Sequence, residues 1–251
     1  RRAEEEIRRL NATLEERVAR RTTQLEAKNR ELATFTYSVS HDLKAPLRGI
    51  DGYARLLLDE YETILDAQGQ VYLRSIRSAA QQMDQLIQDL LTYSHLEQKP
   101  VNCQPVEIAA LVENVAGEYR HPAVARQVQV GVQVAPAQLM LEPVELRQAL
   151  HSLLDNAIKF RLPDAPAQIE VSGADSAAGY TLAVRDHGIG FDMQYHDRIF
   201  EVFQRLNRAE QYPGTGIGLA LVSKVMQRIG GRVWAESIPG SGATFYLEIP
   251  K

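Results

Sequence analysis

Apolar residues in the first third of the chain fall on helical spacing. From Arg1 to about Ala33, Arg and Glu are densely mixed without Pro or Gly, while Ile7, Leu10, Leu14, Val18, Leu25 and Leu32 recur at steps of three, four, four, seven and seven residues. So narrow an apolar stripe among charges predicts a dimeric coiled coil over 1–34, in preference to an ordinary solvated helix. The additional four-residue step resembles a stutter, which locally changes the supercoil. Thr22 and Asn29 sit on the same seam and weaken it.

The stripe continues through Val39, Leu43, Leu47, Ile50, Ala54 and Leu57 toward Tyr61, which implies one long helix. Glu62 to Gly69 breaks the pattern, and Val71 to Leu96 resumes it through Ile76, Met83, Ile87 and Leu90. A helical hairpin over 35–98 follows, with Val39 and Leu43 expected toward its core and Met83 as core filling. Two narrow seams are buried poorly by one hairpin and well by two. The expected assembly is a homodimer closed as an antiparallel four-helix bundle.

Pro100 and Pro105 mark residues 99–105 as an extended linker. Beyond it, 106–251 has a mixed texture: a helix from about Val106 to Tyr119, a strand near Val128 to Val134 and a helix from about Pro143 to Phe160. Strands at Ile169 to Ser172 and Tyr180 to Arg185, a helix from Gly218 to Ile229, and strands at Arg232 to Glu236 and Ala243 to Ile249 complete it. The class is α+β, with one mixed sheet and helices on one face.

Composition narrows the partners. At 251 residues and 45% hydrophobic the chain can bury a core, and a net charge of -4 gives no basic field to gather nucleic acid. Cys103, read as a half-buried small residue after Pro100, cannot form an internal disulfide or build a zinc site alone, which fits a reducing compartment. No run of roughly 18 apolar residues and no leader pattern is present, so a cytoplasmic setting is expected. The start at Arg1 without methionine suggests a fragment, and attachment to a membrane through an upstream region stays open.

The first chemical constellation is His41-Asp42-Leu43-Lys44-Ala45-Pro46 on the long helix. His41 lies off the seam, toward solvent, where a neutral imidazole keeps a nucleophilic nitrogen. Asp42 can hold one ring N–H and take up its proton. Pro46 should bend the helix within a turn of His41. Taken alone, a surface His beside an Asp reads sooner as structural than as catalytic, and the second domain reverses that reading.

There, Asp186-His187-Gly188-Ile189-Gly190 follows a strand, so that a carboxylate can accept the exocyclic amine of adenine while glycines admit close backbone. Taken alone it fits a plain hairpin turn as well. Gly214-Thr215-Gly216-Ile217-Gly218-Leu219 opens a helix whose backbone N–H groups and dipole suit phosphate. No Lys-Ser or Lys-Thr closes this loop, so it is not a Walker A loop. Asn156 and Lys159 share a helix face at three-residue spacing, offering an amide oxygen to Mg²⁺ and an ammonium to phosphate. The remaining histidines, His95, His121, His151, His187 and His196, lack metal-ligand spacing and read as surface or core-edge residues.

These boxes, with Ile199-Phe200-Glu201-Val202-Phe203-Gln204-Arg205 between the glycine loops, resemble the sensor histidine kinases of two-component signalling over nearly the whole chain. Tyr212-Pro213-Gly214-Thr215-Gly216 and Lys159-Phe160-Arg161 look most like the subgroup behind phytochrome-type and PAS-type sensors. The resemblance implies a Bergerat (GHKL) α/β sandwich that binds ATP and Mg²⁺, with a lid over Arg205 to Pro213. It implies His41 as phosphoacceptor with Asp42, Asp186 as adenine anchor, Asn156 as metal ligand and Lys159 as phosphate contact. Gly188, Gly190, Gly214, Thr215, Gly216, Gly218 and Leu219 would form the nucleotide loops, and Thr244 would stand beside the adenine pocket. The implied partners are a second copy, an upstream sensor and the receiver domain of a response regulator.

Two departures are visible. Ser152 stands where the family often carries a further asparagine, which shifts metal ligation onto Asn156 and water. Ala45 stands where many relatives place Thr or Asn, which puts in doubt dephosphorylation of the partner by that route. Two rivals remain: an ATPase of the same fold that performs conformational work, which needs no nucleophilic histidine, and a non-catalytic dimeric scaffold.

Overall fold

The computed structural model of the chain describes residues 2–98, 101–120, 128–163, 165–206, 211–212 and 214–251. They divide into two compact units, Arg1–Gln98 and Lys99–Lys251. In the first, α1 (Arg2–Tyr61) and α2 (Ala67–Gln98) form the hairpin. The turn between them is closed by Asp66, whose carboxylate accepts the Gly69 N–H at 2.7 Å and caps α2. The helix runs on through Pro46, which removes one amide donor without ending it.

The apolar positions split onto two stripes. Leu47, Ala80 and Ile87 pack together with Leu91 inside the hairpin, and Ser40 and Ala54 are buried as well. Polar ties join the same interface: Lys44 Nζ donates to Gln88 Oε1 at 2.5 Å, and Arg77 Nε and Gln81 Nε2 each donate to Asp51 at 3.2 Å. Val39, Leu43, Ile50 and Leu57, expected in the core, are exposed on the hairpin, as are Ile76 and Met83. One partner helix covers one stripe of a wide apolar face and leaves the neighbouring stripe uncovered. In the coil region Leu10, Leu14 and Val18 are exposed, and the side chains of Ile7, Leu25, Asn29 and Leu32 lie outside the described residues.

The second unit holds a five-stranded mixed sheet in the order β2-β4-β5-β7-β6: β2 (Val128–Val134), β4 (Ala167–Ser176), β5 (Gly179–Asp186), β6 (Arg232–Ile238) and β7 (Gly242–Ile249). The β2–β4 pair is parallel and the others antiparallel. Alternation sends Val128, Ile169, Tyr180, Leu182, Val184, Phe245 and Leu247 to the buried face. The buried stripes of α3 (Ile108–Tyr119), α4 (Pro143–Lys159) and α5 (Gly218–Arg228) complete the core. Tyr180 is fully buried and donates its hydroxyl to Ala135 O at 2.5 Å, a placement that only a residue without Cβ at Gly173 leaves room for.

Three sequence readings are corrected. The helix expected from Val106 begins at Ile108, because Gln104–Glu107 forms β1, which pairs antiparallel with β3 (Gln138–Leu141) as a separate ribbon. The strand takes in the last two residues of the expected linker, and β3 had no place in the sequence reading, being only four residues long. Cys103 is exposed rather than half-buried. Lys99, Pro100 and His121 lie outside the described residues.

Helices α4 and α5 are locked at one end by Glu145 and Arg228. Arg228 NH2 meets Glu145 Oε1 at 2.8 Å and Nε meets it at 3.0 Å, with the side chains only 13% and 6% exposed. Glu145 lies in the first turn of α4 and Arg228 in the last turn of α5, so each charge also suits its helix dipole. Arg228→Ala leaves a buried carboxylate unpaired and is expected to destabilise this unit by about 3 kcal/mol. Urea unfolding followed by tryptophan fluorescence, which reports on Trp234 alone, measures it.

Candidate active site

The polar stripe of α4 meets both glycine loops. At its C-terminal end, Phe160 caps the helix through its N–H to Asn156 O at 2.9 Å, and its own carbonyl accepts the Ile189 N–H at 2.9 Å. Gly188 passes so close to the Phe160 carbonyl that a Cβ there would collide with it. Farther back, a Cβ at Gly218 would lie 2.7 Å from Ser152 Oγ and 3.8 Å from Asn156 Nδ2, so Ser152 and Asn156 both face the first turn of α5. Lys159 Nζ lies against Gly214. Sequence separations of about thirty to sixty-five residues thus close into one site, with a glycine at each crossing.

Asp186 ends β5 and is 7% exposed. Its Oδ1 accepts the N–H groups of Gly188 at 2.9 Å and Ala243 at 3.3 Å. Burial pushes its pKa above the usual carboxylate value, and those two N–H bonds offset part of the rise. The loop behind it is tied down by Gly240 N–H to Ile189 O at 2.7 Å and by Ser237 Oγ, which accepts from Phe191 N and donates to Gly242 O. Gly190 and Gly242 take φ of 61° and 91°, the left-handed region glycine favours.

Thr244 is not brought to this pocket. The two-residue period of β7 puts Ala243 and Phe245 on the buried face with Asp186 and turns Thr244 to the other face. There Thr244 pairs laterally with Arg185 and Glu236, in the same outward row as Tyr246, which stacks on Trp234. The sequence motif is displaced from the pocket by one residue, and a one-residue offset exchanges faces.

The segment between the loops folds back on the second one. Phe203, 57% exposed, holds φ of 65°, rare for a bulky residue, and donates its N–H to Gly216 O at 3.0 Å. Gly216, with φ of 74°, leaves room for the Gln204 carbonyl. Thr215 Oγ1 accepts the Ile217 N–H at 3.4 Å, and Leu219 sits in the first turn of α5. Lys159 is half-buried, and its pKa is pushed down first by burial and then by the Arg205 guanidinium. Two cations set near each other make a place for an anion. The sequence reading had Arg205 only as an edge of the lid; of that lid, residues 207–210 and Pro213 lie outside the described residues.

In the hairpin, the His41 side chain is 76% exposed and its Nδ1 lies 3.2 Å from Asp42 Oδ1. With the Nδ1 proton donated to Asp42, Nε2 keeps its lone pair for an electrophile. Among the described residues no group of three or more His, Cys, Asp or Glu could hold a metal ion, and no helix is long and apolar enough to cross a membrane.

Known proteins share both units. The family described as His Kinase A (phospho-acceptor) domain matches residues 31–99, and the one described as Histidine kinase-, DNA gyrase B-, and HSP90-like ATPase matches 141–251. Cyanobacterial phytochrome A of Nostoc sp. is 37% identical over 229 residues, covering 90% of this chain and 29% of that protein. The phosphate regulon sensor protein PhoR of Pseudomonas aeruginosa is 35% identical over 219 residues, covering 84% of this chain and 48% of PhoR. Among solved structures, full-length ShkA in complex with AMPPNP superposes with a TM-score of 0.65 at 28% identity, covering 86% of this chain and 45% of that one. The chain spans only 29 to 31% of the length of the phytochrome relatives it matches.

Asp186→Asn keeps an oxygen for the Gly188 and Ala243 amides and removes the charge. It is expected to weaken ATP binding about 100-fold, the size of a lost charge-assisted hydrogen bond, as read by a fluorescent nucleotide. Because burial raises the folded pKa above the unfolded one, the wild-type carboxyl stabilises the fold fully only below the ordinary carboxylate range and loses that contribution as pH rises through the folded value. Thermal melts should therefore find the variant at least as stable as wild type at pH 7, with any advantage shrinking toward about pH 4.

Proposed function

The chain belongs to the sensor histidine kinases of two-component signalling, carrying their catalytic core and its ATP-binding domain, and from that premise we propose that it phosphorylates its own His41 and passes the phosphoryl group to an aspartate of a response regulator. The observation that supports the reading is the exposed imidazole of His41 beside Asp42, in a chain whose second unit brings two glycine loops, one of them bonded to Asp186, against the end of α4 that carries Asn156 and Lys159.

Nε2 of His41 attacks the γ-phosphorus of ATP, the bond to the β–γ bridging oxygen breaks, and ADP leaves. The ring proton on Nδ1 is taken up by Asp42, so the phosphorylated imidazole stays neutral. In the second step a carboxylate oxygen of the receiver aspartate attacks the same phosphorus and His41 is regenerated. Catalysis on this route is positioning and charge neutralisation. Asp186 holds the adenine amine, the first turn of α5 and Lys159 receive the phosphates, and Arg205 adds a second cation. A Mg²⁺ ion would be held by the Asn156 amide oxygen and by phosphate oxygens, a donor set that suits a hard ion keeping several waters, and it would neutralise charge on the phosphates. A consumer of ATP implies a cytoplasmic site of action.

The uncovered stripe of the hairpin supports the homodimer. Val39, Leu43, Ile50, Leu57, Ile76 and Met83 would be closed off by a second copy, giving the four-helix bundle. The coil, on the same continuous helix as His41, is the element through which an upstream sensor domain would act.

Purified chain given magnesium and [γ-³²P]ATP should acquire an acid-labile, alkali-stable label. His41→Gln should abolish the label while nucleotide still binds, and Asp42→Asn should slow labelling by about 100-fold. ATP hydrolysed without any label would favour the conformational ATPase; label undiminished in His41→Gln would sink the role of that residue. Ile50→Lys, which puts a charge on the open stripe, should shift the chain from dimer to monomer in sedimentation, and an unchanged dimer would place the interface elsewhere.

A further inference from the structure

The interface between α1 and α2 holds one polar group that the chemistry above leaves unexplained. On α2, Ala80, Asp84, Ile87 and Leu91 follow one another at steps of four, three and four, so a carboxylate stands in the row that packs against α1. Its Oδ1 is buried and, among the described residues, has no hydrogen-bond partner. A buried acceptor left in that state has lost its water and gained nothing in return.

The neighbouring layer of the interface shows which donor Asp84 lacks. Asp51 on α1 accepts from Arg77 Nε and Gln81 Nε2, four residues apart on α2, at 3.2 Å each. Because the helices run antiparallel, the same layer recurs seven residues back along α1 and seven forward along α2. Lys44 then takes the place of Asp51, and Asp84 and Gln88 take the places of Arg77 and Gln81. The signs are exchanged, so that an ammonium on α1 faces a carboxylate and an amide on α2. Half of this second layer is formed, since Lys44 Nζ donates to Gln88 Oε1 at 2.5 Å. An ammonium has two further donors, and residues four apart on α2 share one face.

We infer that Asp84 is a positioning residue for the reaction of His41: with Gln88 it holds the Lys44 ammonium, and through Lys44 the turn of α1 that carries the imidazole. The inference rests on the proposed phosphorylation of His41. Lys44 stands one turn after His41. Pro46, two residues farther on, has no N–H for the carbonyl of Asp42, so the backbone ladder is interrupted just where His41 needs a fixed support. A helix weakened at one rung bends there unless side chains hold both sides. Beyond the gap Leu47 anchors α1 in the apolar cluster. Before it Ser40 is buried but small, and Asp42 is exposed and engaged with His41 Nδ1, so Lys44 supplies the long polar tie to α2. A bond from its ammonium to a carboxylate is stronger than one to an amide, which is what Asp84 adds to Gln88.

The test uses the whole 251-residue chain, with labelling by [γ-³²P]ATP, ATP affinity and thermal melts followed by circular dichroism on the same variants. Asp84→Asn and Lys44→Met are each expected to slow labelling about tenfold, the scale of a small misplacement of the reacting group, and to change the Kd of ATP by less than about twofold. The double variant should be no slower than either single one, and the melting temperatures should be non-additive in the same sense. Lys44→Arg keeps the charge, in a side chain of the kind that Arg77 uses for the equivalent contact, and should label within about threefold of wild type. Additive effects on both rate and melting would overturn the pairing and give Asp84 another partner, such as a second copy. Coupled melting with unchanged labelling, or a Lys44→Arg as slow as Lys44→Met, would overturn the positioning role. A wild-type chain that takes no label would overturn the proposed function and this role with it, while the melts would still decide whether Asp84 and Lys44 pair.

Discussion

How closely backbone can approach one helix governs the nucleotide-binding unit. Helix α4 and its capping residue Phe160 carry Ser152, Asn156 and Lys159 to the two loops, and each meeting falls where a loop residue lacks Cβ: Gly188 at the Phe160 carbonyl, Gly214 at Lys159, Gly218 at Ser152 and Asn156. Each crossing is tighter than a side-chain-bearing residue would tolerate. At Gly188 a Cβ would meet the Phe160 backbone, so an alanine there would force the loop or the helix to move, whereas at Gly214 and Gly218 it would meet the ends of the Lys159 and Ser152 side chains and displace those groups instead. The buried Glu145–Arg228 pair fixes the opposite ends of α4 and α5, so the freedom left to the pair is concentrated where the phosphates would lie.

The hairpin is built on a different constraint, the mismatch between the width of its apolar faces and the width of one partner helix. Leu47, Ala54, Ala80 and Ile87 satisfy the intramolecular seam, while Val39, Leu43, Ile50, Leu57, Ile76 and Met83 are left facing out. Six large apolar side chains left open along two helices are a face that a partner surface would cover. His41 stands between Val39 and Leu43 in sequence but on the opposite side of the helix, so a partner that covers the stripe leaves the imidazole open to an electrophile.

Much of this was legible in the sequence because the signals were local. The heptad spacing marked both long helices, the glycine boxes marked the loops, and the three-residue spacing of Asn156 and Lys159 placed both on the face that meets α5. What was not legible depended on pairing. The strand at Gln104–Glu107 exists because β3 lies beside it, and four residues ending in Val106 and Glu107 read equally well as the start of a helix. Thr244 was assigned from a motif, yet its face is set by the register of β7 against β5, which puts Ala243 beside Asp186 instead. The stripe of Val39 and Leu43 was seen, but periodicity gives the angle of a residue around its helix and not which neighbour covers it. Arg205 was read only as the edge of the lid, because its proximity to Lys159, more than forty residues away in sequence, leaves no local signal.

Electrostatics then explains why the site should respond to its ligand. Asp186 carries a charge that burial disfavours, and Lys159 carries one that burial and Arg205 disfavour. Both groups are held in environments where their ionised forms are less comfortable than in water, a strain the fold sustains through the Gly188 and Ala243 amides and the Phe160 ring. A ligand with an amine at one end and a polyanion at the other relieves both at once, which a plain anion or a plain nucleoside cannot do. The sign for Lys159 follows directly: its folded pKa lies below the ordinary lysine value, an anion raises it again, and binding is therefore coupled to retention of the proton. Affinity for a triphosphate should hold through neutral pH and decline as pH climbs toward the lysine range, beginning earlier than an unperturbed ammonium would allow.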